Sequence, residues 1–290
     1  MKELITPCLT PFLPDGDVDF PALISLVKYL NESGVTGIFA LGSTGVFPWL
    51  TLEEKKEIMR CARDNTDKPV YCGVSSTSIA ESIQLSKYAE DCGCEFAVLT
   101  PPYYMPLDEK GMKEFLLGVM EKSNVNFFLY NIPQFTGSRI QPALLDELIR
   151  SVPNLSGIKD SSGDMRYFSR LVSLRKKNFR VLQGQDDLLL PSLSVGGDGG
   201  VCGLSNFSDS TARILESFSS GDIPTATEIN EHTILPLMDA LNSTTFPSGY
   251  YYAYYLKNRL EGGYRPPMHA PPEESAAKIR ESVNRLVLSK

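Results

Sequence analysis

Eight short apolar runs, each followed by a stretch with helical spacing, constrain this chain more than any other feature. They are Leu4 to Leu9, Gly37 to Leu41, Pro69 to Val74, Phe96 to Thr100, Asn126 to Tyr130, Leu155 to Lys159, Phe179 to Gln183 and Gly199 to Leu204. Strands that are apolar on both faces belong in a parallel sheet covered by helices. Each parallel step needs a crossover, and the helical stretches supply one. Eight such units in 290 residues favour closure over an open sheet. The expected fold is therefore α/β, a (β/α)8 TIM barrel with a C-terminal helical extension. It should form one domain overall. Residues 1–206 would carry the barrel strands and active site, and residues 207–290 the last barrel helix and the extension.

Local signals set the helix ends. Asp19 should cap the first helix, Pro21 suits its first turn and Gly34 should end it. Thr51 with Glu54, and Ser78 with Glu81, have capping-box spacing. Helices are further expected from about Asp108, from Pro142, from about Asp164, and from Asp186 to Val195. Asn131 to Gly137 reads as a loop. The Tyr250-to-Tyr255 aromatic run near the C-terminus reads as a packing surface.

Composition removes several function classes. The chain carries 28 basic and 35 acidic residues, net −7, with no basic run. Nucleic acid and anionic membranes are not expected partners. No stretch is long enough to span a bilayer, and the start lacks the apolar core of a signal peptide. The six cysteines are scattered without a C-x-x-C pair and read as reduced, buried thiols of a cytoplasmic protein. Only His232 and His269 are present, far apart, so no metal site is expected and a Ser-His or Cys-His centre is improbable.

The unusual residues fall where strands end, which is where barrel chemistry gathers. Lys159 closes the sixth run and Tyr130 the fifth. A desolvated lysine amine can attack a carbonyl and form an imine; the alternative is an edge lysine that reaches water. Tyr130 is an ordinary strand tyrosine or a proton shuttle beside that imine. Gly42-Ser43-Thr44-Gly45 follows the second run. It is a plain turn, or a nest of backbone N–H groups and two hydroxyls suited to a carboxylate. Tyr103 follows a stiff proline pair that should hold an aromatic outward. Gly184, Asp186 and Asp187 follow the seventh run, where the acids either cap a helix or bind hydroxyls.

Taken together, Gly42 to Gly45, Tyr130 to Pro133, Thr136-Gly137 and Gly157 to Asp160 resemble the dihydrodipicolinate synthase / N-acetylneuraminate lyase superfamily. The resemblance runs from the Pro7-to-Pro11 start through the eighth strand. It implies a class I, Schiff-base-forming barrel, usually homotetrameric, acting on pyruvate or 2-keto acids. It implies that Lys159 forms the imine and needs no other cofactor, and that Tyr130 relays protons. Ser43 and Thr44 would hold the pyruvate carboxylate, with Ser161, Gly184, Asp186 and Asp187 as further substrate contacts. Tyr103 would reach the relay of a neighbouring subunit in a dimer of dimers.

Departures select the branch. Phe135 stands where dihydrodipicolinate synthases carry an arginine for the second substrate's carboxylate, and Val46 where the synthase and sialate lyase branches usually have glutamate. Leu107 replaces the arginine of aldolases that accept a 6-phosphorylated substrate. The strings Gly42 to Pro48, Tyr130 to Thr136, Gln183 to Asp187 and Gly262 to Met268 are similar to the 2-keto-3-deoxygluconate aldolases of thermoacidophilic archaea. The expected activity is reversible cleavage of 2-keto-3-deoxygluconate, with the galactonate a further substrate to test. The products are pyruvate and glyceraldehyde, an Entner-Doudoroff type of step, and the non-phosphorylated substrate is preferred. The alternatives are another pyruvate-dependent aldolase or lyase of the superfamily, or a barrel that only binds a sugar acid.

Overall fold

A computed structural model describes residues 2–288. Its strands are β1 (Glu3–Pro7), β2 (Gly37–Ala40), β3 (Val70–Gly73), β4 (Phe96–Leu99), β5 (Asn126–Asn131), β6 (Leu155–Asp160), β7 (Arg180–Gln183) and β8 (Gly199–Val201). They follow one another around a closed barrel in chain order. With helices between them this is a (β/α)8 TIM barrel. Contacts divide the chain into two compact units, Met1–Lys68 with Cys202–Lys290, and Pro69–Val201.

The first unit holds β1, β2 and the helices α1 (Phe20–Glu32) and α2 (Leu52–Asp64). Asp19 caps α1 through the Ala22 N–H, but the helix ends at Glu32 on Ser33, one residue before Gly34. Thr51 and Glu54 form the full reciprocal box on α2, worth about 1 kcal/mol. Arg265 pairs with Glu54 at 2.7 Å. Burial pushes the Glu54 carboxyl up, but the Thr51 backbone N–H and Arg265 outweigh it and hold it below its usual range.

The expected eighth strand stops early. Past Val201 the chain turns into a short 3-10 segment, Gly203–Asn206, pinned by the Asn206 amide to the Pro7 and Gly203 carbonyls. In the same unit the aromatic run lies on a helix, Ser248–Asn258, and packs inward, as its composition implies. Tyr251 and Tyr255 accept hydrogen bonds from the Thr10 and Phe12 amides. These phenols tie down the segment that leaves β1.

The second unit holds β3 to β8 and the helices α3 (Ile79–Asp91), α4 (Glu109–Met120), α5 (Pro133–Thr136), α6 (Pro142–Ser151), α7 (Met165–Ser173) and α8 (Leu189–Ser194). α4 and α7 begin where expected, and Asp108 and Asp164 cap them. Ser78 makes only half a box, because the Glu81 carboxylate accepts from Ser76 instead. α5 replaces part of the expected loop. Pro133 suits a first turn, and Gly137 stops the helix at φ 69°. The helix expected from Asp186 to Val195 begins as a 3-10 turn, Asp186–Leu188, before α8.

The inner face of this unit is set by contacts across it. The Arg180 guanidinium of β7 lies 4.6 Å from the ring centres of both Phe96 on β4 and Phe128 on β5. Strands that are not neighbours meet this way only inside a barrel. Phe96 and Phe128 therefore point inward, and so do residues two and four further along each strand. Gly157 leaves room for Phe128, since a Cβ there would fall 2.3 Å from its ring.

Candidate active site

Following that alternation, Tyr130 and Lys159 come next on the inner face, at the carboxyl ends of β5 and β6. They are register partners, Tyr130 opposite Lys159. Both are buried, with 4 % of each accessible. The lysine Nζ sits 4.1 Å from the centre of the Tyr130 ring. A phenol and an amine are thus held side by side by two central strands rather than by a loop, the rigid placement that chemistry needs.

The next residues outward fix this pair. Asn131 and Asp160 face the helices, with the Asn131 amide donating to the Asp160 carboxylate at 2.7 Å and its carbonyl accepting from the Ile140 N–H. Ser162 donates to Asp160 through both its hydroxyl and its N–H. Burial pushes the Asp160 carboxyl up, against the opposing pull of Asn131, Ser162 and Arg139. These positioning residues escaped the sequence reading. Their signal was present: a polar residue directly follows both Tyr130 and Lys159 at the end of an apolar run.

Gly184 has a steric role. A Cβ there would lie 2.7 Å from Lys159 Cε and 2.0 Å from Ser161 Oγ. Only glycine lets the lysine arm pass. Its N–H donates to the Asp160 carbonyl, and the Gln183 side chain accepts from the Gly184 and Gln185 amides. Ser161 is buried, and its hydroxyl has no hydrogen-bond partner. A buried donor left in that state costs about 1–3 kcal/mol. Asp186 is buried and Asp187 half-buried, at the first two positions of the 3-10 turn that opens the expected helix.

The loop after β4 differs from expectation. Tyr103 is half-buried, and burial together with the Glu81 charge raises its phenol. The outward aromatic is its neighbour Tyr104, 87 % exposed and held at φ 79°. A bulky residue at positive φ is strained, and strain of this kind gathers at functional loops.

Ser43 and Thr44 belong to the other unit, in the turn after β2. Leu41 at φ 62° and Val46 at φ 50° flank the turn, a second concentration of backbone strain. Gly42 and Gly45 are required by close approach, to the Phe39 ring at 2.9 Å and the Cys8 carbonyl at 2.8 Å. The turn is packed into one conformation. Among the described residues no group of histidine, cysteine or acidic side chains could hold a metal ion. No helix there is long and apolar enough to cross a membrane. The six cysteines are free thiols, Cys8, Cys72, Cys94 and Cys202 buried and the other two half-buried.

The sequence matches the dihydrodipicolinate synthetase family over residues 1–286. The chain belongs to that family. It is 41% identical over 261 residues to a 2-dehydro-3-deoxy-D-gluconate/2-dehydro-3-deoxy-phosphogluconate aldolase of Picrophilus torridus, covering 90% of this chain and 97% of that one. It is 33% identical to a 4-hydroxy-tetrahydrodipicolinate synthase of Methanothrix thermoacetophila, covering 96% and 94%. The solved 2-keto 3-deoxygluconate aldolase from Picrophilus torridus superposes with a TM-score of 0.91 at 40% identity, over 93% of this chain and 98% of that one. As a member of the dihydrodipicolinate synthetase family, the protein is a carbon–carbon lyase of the pyruvate-dependent aldolase type.

Proposed function

We propose that this aldolase cleaves 2-keto-3-deoxygluconate, and that Lys159 does so through an imine. The observation that carries the reading is the buried Lys159 amine against the Tyr130 ring. The amine adds to the C2 carbonyl and water leaves, giving a protonated imine. Tyr130 takes the proton of the C4 hydroxyl as the C3–C4 bond breaks, and the bonding pair moves into the iminium to give an enamine. Glyceraldehyde departs. Protonation at C3 and hydrolysis of the imine release pyruvate and restore the amine. Ser43 and Thr44 would hold the C1 carboxylate, and the orphan hydroxyl of Ser161 is a fitting substrate contact.

The substrate is supported by the likeness to the Picrophilus torridus aldolase and by Phe135. Phe135 is 53 % exposed and offers no cation to a second carboxylate. The name of that relative covers both the free and phosphorylated sugar acids. Here Leu107 supplies no charge to a phosphate dianion, which is costly to bind without one. We therefore read a preference for the free acid, and Leu107→Arg should shift the ratio of catalytic efficiencies toward the phosphorylated form. The second reading is 4-hydroxy-tetrahydrodipicolinate synthase activity, favoured by the Methanothrix thermoacetophila relative.

The deciding experiment is borohydride reduction in pyruvate, combined with cleavage assays on 2-keto-3-deoxy sugar acids. A pyruvate adduct should map to Lys159, and Lys159→Ala should lose both adduct and cleavage. Lys159→Arg should not rescue, because a guanidinium forms no imine. An adduct on another lysine overturns the assignment. Synthase activity exceeding cleavage would favour the second reading.

Assembly belongs to the same proposal, a cytoplasmic homotetramer built as a dimer of dimers. In it a tyrosine of the loop after β4 would meet the partner's relay. Tyr103 was the expected residue; the exposure and strain of Tyr104 make it the better placed of the two. Mixing Lys159→Ala with Tyr104→Phe subunits should restore activity above the sum of the parents. If Tyr103→Phe complements and Tyr104→Phe does not, the role returns to Tyr103.

A further inference from the structure

Thr100, like Ser161, carries a buried hydroxyl without a partner. It is 3 % accessible, and its Oγ1 makes no hydrogen bond. Its place is specific. Phe96 points inward on β4, so Val98 does too, and Thr100, the first residue past the strand end at Leu99, is next in that alternation. Val98 lies opposite Phe128 and Leu99 opposite Leu129. One step on, Thr100 stands alongside Tyr130, on the side away from Lys159. The backbone there is pinned, because the Thr100 N–H donates to Ser75 Oγ at 2.9 Å.

Lys159 on β6, Tyr130 on β5 and Thr100 just past the end of β4 thus continue one row across the inner face. The row spans two strand spacings, about 10 Å. In the proposed reaction, on which this inference rests, Lys159 holds C2 and Tyr130 serves the C4 hydroxyl. The next position along the row falls beyond the bond that breaks. We propose that Thr100 is a specificity-determining residue whose hydroxyl binds the C5 or C6 hydroxyl of the sugar acid. The orphaned oxygen gains its partner only in the loaded site. A threonine here discriminates by leaving buried polar groups unpaired when the hydroxyl is missing.

The test compares wild type with Thr100→Val, which keeps shape and removes the hydroxyl, and with Thr100→Ser, which restores it. Each is assayed for pyruvate trapping by borohydride, for KM and kcat on the best-cleaved 2-keto-3-deoxy sugar acid, and for thermal midpoint without ligand. Thr100→Val should trap pyruvate like wild type, since pyruvate lacks the distal hydroxyls. Its KM should rise roughly 5- to 50-fold, the range for one unpaired buried group, with a smaller change in kcat. Thr100→Ser should return most of that loss, and the midpoint of Thr100→Val should be unchanged or higher. An unaltered KM in Thr100→Val overturns the inference and leaves the aldolase reading standing, as does a KM defect that Thr100→Ser fails to repair. Loss of trapping in Thr100→Val also overturns it, by placing the hydroxyl at the pyruvate half. If the wild type neither traps pyruvate nor cleaves any sugar acid, the aldolase mechanism itself falls and takes this inference with it.

Discussion

The inner face of the second unit holds a cation against an aromatic ring at each end. Toward the amino ends of the strands, Arg180 rests on Phe96 and Phe128 and donates to the Tyr71 hydroxyl at 3.1 Å. Toward the carboxyl ends, Lys159 lies over Tyr130. The surroundings differ. Tyr71 stacks on Phe96 at 4.5 Å, and Phe96 meets Phe128 edge-on at 5.3 Å, so the arginine has an assembled aromatic seat. Toward this end, the hydroxyls of Thr100 and Ser161 are buried and unpartnered. A guanidinium keeps its charge permanently, whereas an amine can shed its proton and become a nucleophile. The same type of contact is thus a finished structural joint at one end and an unfinished polar site at the other. Ser82 and Thr211, on helices, also carry buried unpartnered hydroxyls, so it is the position of Thr100 and Ser161 at the carboxyl ends of the strands that marks where a ligand belongs.

The sharpest way to break this contrast, short of removing the lysine, is Tyr130→Phe. The ring that faces the amine remains, and only the hydroxyl goes. Turnover should fall about 10²–10⁴-fold, the range for a positioned proton-transfer group, while borohydride trapping of pyruvate survives in part. Near-normal kcat in this variant would mean that Tyr130 serves only as a seat for Lys159, as Phe96 does for Arg180.

Gly184→Ala tests how tightly the carboxyl end is built. The added methyl would overlap Ser161 Oγ and press on Lys159 Cε. One of them must move, and a misplacement near 1 Å can cost about 10²-fold in rate. We expect kcat/KM to drop by roughly 10- to 100-fold, with slower imine trapping. If trapping runs at the wild-type rate, the lysine arm has room that the glycine geometry denies.

The same contrast explains what could be read from sequence. The barrel was legible because eight apolar runs and their crossovers are a local, repeated signal. Lys159 and Tyr130 were legible because a titratable group at the end of an apolar strand is uncommon. The strand end at Val201 and the helix end at Glu32 were harder to read. Tertiary hydrogen bonds and close approach decided them, as with Asn206 reaching the Pro7 carbonyl. Thr100 reads as the last residue of a strand, although β4 ends at Leu99, and nothing local distinguishes an orphaned hydroxyl from a paired one. Register points to it, because Leu99 pairs with Leu129 and the next step falls beside Tyr130. Tyr103 and Tyr104 are adjacent and chemically identical, and only the backbone at φ 79° tells which points outward.

The smallest catalytic effect should come from the opposite end. Arg180→Leu keeps a side chain that can cover Phe96 and Phe128 but deletes the charge. Lost are the cation–π contacts, worth about 0.5–2 kcal/mol, and the bond to the Tyr71 hydroxyl, about 1 kcal/mol. The leucine returns some of this by apolar burial, so the net loss of stability should be roughly 1–2 kcal/mol. Denaturant midpoints would measure it. The kcat and KM of the folded fraction should stay within about twofold of wild type, since rigid strands separate the change from Lys159 and well-separated sites act independently. A tenfold fall in kcat at unchanged stability would show instead that the aromatic seat positions β5 and β6 for chemistry. Gly157 is the route by which it could do so, because it leaves room for the Phe128 ring on the same strand that carries Lys159. Under that outcome the two ends would be one device, and the contrast drawn between them would fail.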